Sequence, residues 1–436
     1  MERSLAVWAE HIEGFVRVGT LSQHAGGGES FAYDRSYLED GRSVPIFPVL
    51  PLQEDTFNTQ KTRSAFSSLG PEGVVGHDIR AALRAGREAI SPVLARLNHE
   101  TVGALTFTED ESEPSFDGAG ATALGHDALV AFAHAPERTA FEELMRSRLS
   151  LNGAVAKIGV VKMAGTWGRP QGLTPSTHIL KAGTPAFPDQ MLNEALCMRS
   201  AVACGFDDAA QTDLMVVDDC DPILISRRFD RLVIDGRPAG LPNTMRLHQA
   251  DFCQVLGISV DALKYTPSDE LVEAYTTSVA SAISRESAER YGDRSYVFDM
   301  LVFDYLVGNC DNHLKNLSLT WSPDWSSKAV SPLYDVTCTT LYPDLSREMG
   351  MGIGAHRVID DVEPDDFRLM AKQLGISWKQ ARDSIAQTAK MLVSSILESA
   401  DKLEREHSLN AVMFAERLAK DCQTRVDVAL RAASRA

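Results

Sequence analysis

The chain has 436 residues, 44% of them apolar and 24% charged, the make-up of a folded globular protein with room for two or three domains. Its formal charge of −17 argues against a chain whose main work is gripping nucleic-acid phosphates, which demands a basic face. Seven cysteines without a C-x-x-C pair argue against a disulfide framework; with no run near the roughly 18 apolar residues of a membrane span and no signal-type apolar h-region in MERSLAVWAEHIEG, they predict a cytoplasmic protein.

Residues 5 to about 50 read as short strands and turns, with alternating apolar positions around Gly14 and Gly19 and a GGG turn at 26–28. From Pro71 the spacing becomes helical, placing Ile79, Ala82, Leu83, Ile90, Leu94 and Leu97 near one face. The acidic, Gly-, Ser- and Pro-rich stretch from Glu109 to Gly125 reads as a linker. LSLNGAVAKIGVVKMAG and STHILKAG then look like strands, DQMLNEALCMRSAVACGF like a helix ending at Gly205, and DLMVVDDCDPILISRRFDRLVIDG like strands again. After about Ala239 the pattern is mostly helical, as in Ile385, Ala389, Leu392 and Ile396, then Phe414, Leu418 and Cys422. Strands followed by helices predict an α+β, two-lobed arrangement with its ligand in the cleft.

The stretch DYLVGNCDNHLKNLSL carries the most chemistry. An apolar run breaks at Gly308, Asp311 leads a polar loop, Asn316 follows five residues later, and Asp335 stands in SPLYDVT beyond the strand-like NLSLTW. Phosphoryl transfer needs a carboxylate at the acceptor hydroxyl and hard oxygen ligands for Mg²⁺, and D-x-x-x-x-N followed by a later Asp supplies both. Such residues also cap helices and turns, so the rest of the constellation matters. Lys181 lies on the apolar strand THILKAG and Glu194 thirteen residues on in a helix, the order needed for a phosphate-binding lysine steadied by an ion pair. Neither G-x-x-x-x-G-K-[ST] nor G-x-G-x-x-G occurs; the nearest phosphate-loop candidate is SLNGAVAK, Ser150 to Lys157, where amides near Gly153 and the Lys157 side chain could approach phosphate. The 11 histidines form no zinc pattern, and His313 is expected to orient its loop.

The ordered set VGTLSQHAGGGESFAYDRSYL, FSSLGPEG, ARLNHETVGALTF, SLNGAVAK, THILKAG, NEALCMRSAVACGF, SRRFDRL, RLHQADFCQVLGISVDALKY, VGNCDNHLKNLSL and PLYDVT resembles the HipA family of Ser/Thr protein kinases, toxins of HipBA-type toxin-antitoxin modules. The resemblance implies a bilobal protein-kinase-like fold: a β-rich N-terminal subdomain over 1–108, a linker over 109–125, an N-lobe over 126–238 and an all-helical C-lobe over 239–436. It implies ATP and Mg²⁺, with Asp311 as catalytic base, Asn316 and Asp335 as metal ligands, Lys181 on the phosphates and Glu194 as its partner. Asn152, Gly153, Ala154, Val155, Ala156 and Lys157 would form the phosphate loop. Arg227, Arg228 and Phe229 would form the adenine hinge, with His313 and Tyr334 completing the nucleotide site; Arg227 stands where relatives more often carry an acidic residue. Ser150 takes the place of the family's autophosphorylated serine, whose added charge ejects the phosphate loop. The implied substrate is a serine of an aminoacyl-tRNA synthetase, glutamyl-tRNA synthetase or a relative, giving growth arrest and persistence. The implied partner is a HipB-like helix-turn-helix antitoxin through which the chain reaches operator DNA. A small-molecule kinase of the aminoglycoside phosphotransferase kind and a non-catalytic corepressor or scaffold are the alternatives.

Overall fold

The continuous apolar run Leu5–Ala9, buried on both faces, and the apolar positions of GFVRVGTLSQ build the first hairpin, β1 (Arg3–His11) and β2 (Gly14–Gln23), whose turn closes at Gly14 with φ +138°. A computed structural model describes all residues except Met1, Asn152, Ala154, 238–239, 259–263, Ser408 and Ala436. With β3 (Glu29–Tyr33) and β4 (Leu105–Thr108) the hairpin forms an antiparallel sheet in the order β3-β2-β1-β4. Helices Thr59–Phe66, Gly73–Ala82 and Ser91–Arg96 follow the third strand, the first capped by Asn58, which accepts from the Lys61 amide at 3.0 Å.

The second sheet is six-stranded and antiparallel: β5 (Gly120–Leu124), β6 (Lys157–Met163), β7 (Thr166–Gln171), β8 (His178–Lys181), β9 (Thr212–Met215) and β10 (Ile223–Arg227), in the order β5-β7-β6-β8-β10-β9. Here the expected linker over 109–125 needs correction, because its last residues pair with β7 from Gly120↔Gln171 to Leu124↔Trp167. An edge strand draws its stability from its neighbour, so its Gly- and Ala-rich sequence does not announce it. Helices His126–His134 and Pro136–Ser147 pack on this sheet, and the helix Gln190–Ala203 crosses it with Gly205 (φ +108°) just beyond its end.

The C-terminal part is built on helices Val272–Glu286, Arg290–Val307, Pro364–Leu374, Trp378–His407 and Val412–Ser434. It is not all-helical, as expected above. A three-stranded sheet joins Gln249–Asp251, Ser318–Trp321 and Lys328–Val330, and a hairpin pairs Glu348–Ile353 with His356–Val358. Strands of three or four residues carry too little period to be read locally. No described helix is long and apolar enough to cross a membrane, and all seven cysteines are unpaired.

Residues 1–108 are not insulated from the rest. The buried cluster holding Leu5, Val7 and Phe107 continues to Phe303 and Leu418, while Ile79 and Leu97 pack instead with Ile158 and Leu180 of the second sheet. Buried carboxylates reinforce this docking. Glu10 meets Arg246 at 2.6 Å and Arg237 at 3.2 Å, and Glu100 contacts Arg231 and, at 3.4 Å, Arg228.

Candidate active site

The register of the second sheet sets two lysines side by side, Lys157 opening β6 directly opposite Lys181 closing β8. Both are buried, and two adjacent ammonium groups need compensating charge. Glu194, on the helix Gln190–Ala203, accepts from Lys181 Nζ at 2.6 Å, and Asp335 Oδ1 contacts the same nitrogen. Burial pulls the Lys181 pKa down, but Asp335 and Glu194 more than reverse it, leaving it raised. Burial also pushes Asp335 up; Lys181 and Lys157 outweigh that and hold it well below the usual carboxylate range. Glu194 is raised by burial against the opposing pull of Lys181, and Lys157 is lowered by burial with Lys181 adding to the effect and Asp335 opposing it. Asp335 has φ +60°, a left-handed conformation costly for most side chains and tolerated by Asp.

Across the cleft the helix Arg290–Val307 stops at Gly308 (φ +83°). The loop that follows is pinned at each step. Asn309 Nδ2 donates to Asp304 Oδ1 at 2.7 Å, the Asp311 amide donates to Asn309 Oδ1 at 3.0 Å, and Asn312 exchanges hydrogen bonds with the Met351 backbone at 3.1 and 3.2 Å. Gly350 lies so close that a Cβ there would fall 2.7 Å from the His313 backbone nitrogen. Asn316 Nδ2 donates to the Asp311 carbonyl at 2.9 Å, which leaves Oδ1 as the atom Asn316 can offer a cation.

The Asp311 side chain is 56% exposed and accepts from Tyr265 Oη at 2.6 Å. Tyr265 is raised by burial, then by the Asp311 charge. His313 Nε2 stands 3.8 Å from Asp311 Oδ1 and its buried Nδ1 has no hydrogen-bond partner. Burial lowers its pKa while Asp311 opposes, favouring a neutral ring.

In the expected phosphate loop, Gly153 has φ +98°, and a Cβ there would meet the Lys157 ammonium. Val155 and Ala156 pack on buried clusters, whereas Asn152 and Ala154 lie outside the described residues. Ser150 is fully buried, its Oγ donating to the Leu69 carbonyl and its amide to the Glu100 carbonyl at 2.7 Å. Of the three residues expected at the hinge, Arg227 is exposed and reaches Gln211 at 3.3 Å. The Arg228 guanidinium is committed to Asp230 at 2.7 and 2.9 Å and to Ser176 at 3.1 Å, so that side chain serves the scaffold. Phe229 packs 5.2 Å from the Tyr334 ring, whose hydroxyl donates to the Lys315 carbonyl at 2.8 Å and meets Ser318 Oγ at 2.7 Å.

These groups line one cavity of about 650 Å³, including Gly153, Val155, Lys157, Lys181, Glu194, Phe229, Asp311, His313, Asn316, Tyr334 and Asp335. Sequence reading missed Glu72, Lys264, Tyr265 and Lys315, which line it too. Lys315 and Glu72 are in contact across 243 residues, a separation no local pattern bridges; GPEG and the lysine inside DNHLKN were the only signals. In a separate group of Asp213, Glu406 and His407, Arg199 bridges the two carboxylates at 2.8 and 2.7 Å and offsets half of their negative charge.

Residues 5–108 match the family model described as HipA N-terminal domain, and residues 149–396 the HipA-like C-terminal domain. Two proteins of Sinorhizobium fredii (strain NGR234) align along most of their length. "Putative kinase Y4mE" is 30% identical over 90% of each chain, and "Putative kinase Y4dM" is 26% identical over 85% of this chain and 87% of its own. Among solved structures, the toxin-antitoxin system HipA, HipB and operator DNA complex of Shewanella oneidensis MR-1 contains a chain that superposes with a TM-score of 0.79 at 19% identity, covering 99% of this chain and 100% of that one. The chain therefore belongs to the HipA family, with the family's N-terminal and C-terminal domains in order and its kinase-like fold.

Proposed function

We propose that this protein is an ATP- and Mg²⁺-dependent protein serine/threonine kinase acting as the toxin of a toxin-antitoxin pair. The observation that carries the reading is the Lys181 ammonium held between Glu194 and Asp335 in the same cavity as Asp311 and Asn316. A scaffold or corepressor has no use for a buried cation and two carboxylates arranged around an open cleft, since their burial costs stability.

The residues fit the groups the reaction requires. Asp335, its side chain one-third exposed, and Asn316 through Oδ1 offer the hard oxygen ligands that Mg²⁺ prefers. When bound, the ion would neutralise charge on the phosphate oxygens. Lys181, steadied by Glu194, is fixed to hold nucleotide phosphates, and Lys157 adds a second cation on the same sheet face. Tyr265 Oη occupies Asp311 Oδ1, leaving Oδ2 to orient an incoming serine hydroxyl and take its proton. The serine Oγ–phosphorus bond then forms as the bond from the γ-phosphorus to the β,γ-bridging oxygen breaks, releasing ADP.

We take the substrate to be a serine of an aminoacyl-tRNA synthetase, glutamyl-tRNA synthetase or a relative, with growth arrest and persistence as the result. The partner is a HipB-like helix-turn-helix antitoxin, as the complex of the Shewanella relative supports, and the net charge of −17 favours contact with operator DNA mainly through it. Ser150 is assigned as the autophosphorylation site; because its hydroxyl is buried against Leu69, the phosphate loop must open before it can be modified. The test is transfer of labelled phosphate from ATP to a panel of purified synthetases by wild type, Asp311→Gln and Asp335→Asn. Wild type is expected to label one synthetase and itself, and both variants neither; a wild type that labels nothing overturns the reading.

A further inference from the structure

The N-terminal subdomain touches both loops of the site through one short turn. The Leu69 carbonyl accepts from Ser150 Oγ, just ahead of the phosphate loop. Three residues later the Glu72 carboxylate contacts Lys315 Nζ, between Asp311 and Asn316, and lies 3.5 Å from Lys264 Nζ. The link between them is stiff: Pro71 fixes its own φ, Gly73 takes φ +60°, and Arg80 Nη1 donates to the Pro71 and Gly76 carbonyls at 3.2 Å each.

Lys315 is only 5% exposed, and among the described residues Glu72 is the one carboxylate within ion-pair distance of it. Its backbone is equally held, since the Leu314 amide donates to the Lys264 carbonyl at 3.1 Å and the Lys315 carbonyl accepts from Tyr334. An ammonium deprived of its counter-charge at this depth must give up its proton or leave the interior. In leaving, it would carry with it the segment that places the Asn316 amide on Asp311.

We propose that the Leu69–Glu72 turn is a strut by which the N-terminal subdomain sets the phosphate loop against the catalytic loop, with Glu72 as the positioning residue for Lys315. The effect on nucleotide rests on the kinase reading above; the coupling between the two loops does not. The strut gives residues 1–108 a part in the site itself, beyond packing against it.

Hydrogen exchange of the full chain, read at residues 150–157 and 311–316, and titration with a non-hydrolysable ATP analogue plus Mg²⁺ test it together. Glu72→Gln is expected to speed exchange in both segments and to weaken the analogue about ten-fold, a readable change in Kd. Glu72→Asp, which keeps the charge, is expected to recover most of both. Lys315→Met should match the double variant Glu72→Gln/Lys315→Met, because two residues acting through one contact are not additive. Faster exchange confined to 311–316, or losses that multiply in the double variant, overturns the strut. If Glu72→Gln fails to fold, the double variant, in which the buried Lys315 charge is gone and only the more exposed Lys264 loses a partner, decides alone: faster exchange in both segments supports the strut and unchanged exchange overturns it. A wild type that binds no analogue while its variants still loosen both segments would remove the kinase reading and leave the strut standing.

Discussion

Lys181 Nζ lies 2.6 Å from Glu194 Oε1 and touches Asp335 Oδ1 as well. One buried ammonium thus holds together a strand, a helix and a loop separated by up to 154 residues of sequence. Lys181→Met would leave Glu194 buried beside Asp335 with no cation between them. Breaking such a pair from one side costs roughly 3–5 kcal/mol. Urea unfolding of Lys181→Met is expected to show a loss of that order, and the double variant Lys181→Met/Glu194→Gln to regain most of it while phosphate transfer stays absent from both. A single variant as stable as wild type would mean that the pair contributes nothing to folding.

Asp304 provides a pH dependence of known sign. Burial pushes its carboxyl up to about 7, despite the hydrogen bond from Asn309 that favours the charged form. Between the ordinary aspartate range and about 7 the native chain therefore holds a proton that the unfolded chain has lost. Stability falls as pH rises through that window, by about 1.4 kcal/mol per pH unit for one group, and levels off above it. Asp304→Asn keeps the acceptor for Asn309 and removes the titration. Its urea midpoint is expected to match wild type near pH 4, at the foot of that window, and to exceed it by pH 8; equal gaps at both pH values would rule Asp304 out as the source.

The parts of the site legible in the sequence were those whose residue types speak locally. Asp311 and Asn316 share one loop, Gly308 marks the end of an apolar helix, and Lys181 stands out as a charge on an apolar strand. That the Arg228 side chain pairs with Asp230, Glu100 and Ser176 was not legible, because a hinge position and a buried scaffold arginine look alike in sequence. For Tyr265 and Glu72 no local pattern showed the contact, since their partners lie 46 and 243 residues away. In the fold, long helices such as Trp378–His407 declared themselves by period, whereas Gly120–Leu124 and Lys328–Val330 became strands only through pairing.

Gly350 sets the distance between the hairpin Glu348–Ile353/His356–Val358 and the catalytic loop. Its amide donates to the Cys310 carbonyl at 2.9 Å, and an added Cβ would meet backbone atoms of Asn312 and His313, which cannot swing aside as a side-chain end can. Gly350→Ala is expected to cost about 1–3 kcal/mol through overpacking and to lower phosphate transfer at least about ten-fold, because displacement of reacting groups by an ångström is expensive. On the proposed reading, in which Lys181 holds the phosphates from the other side of the cleft, nucleotide affinity should change less. Unaltered transfer in a variant that is measurably destabilised would show the catalytic loop tolerating the shift.

Ser150 separates the loss of a hydroxyl from the gain of a charge. Its Oγ is buried and donates to the Leu69 carbonyl, so Ser150→Ala forfeits one hydrogen bond, worth about 1 kcal/mol, and should retain transfer to substrate while losing self-labelling. Ser150→Asp puts an acceptor-only carboxylate against that carbonyl at a fully buried position, which the chain relieves by moving the residue out. Phosphorylation would add a larger charge at the same point. Ser150→Asp is therefore expected to weaken binding of a non-hydrolysable ATP analogue by at least about ten-fold where Ser150→Ala changes it little. Equal affinities in the two variants would separate the phosphate loop from the state of Ser150, and self-labelling that persists in Ser150→Ala would place the switch at another residue.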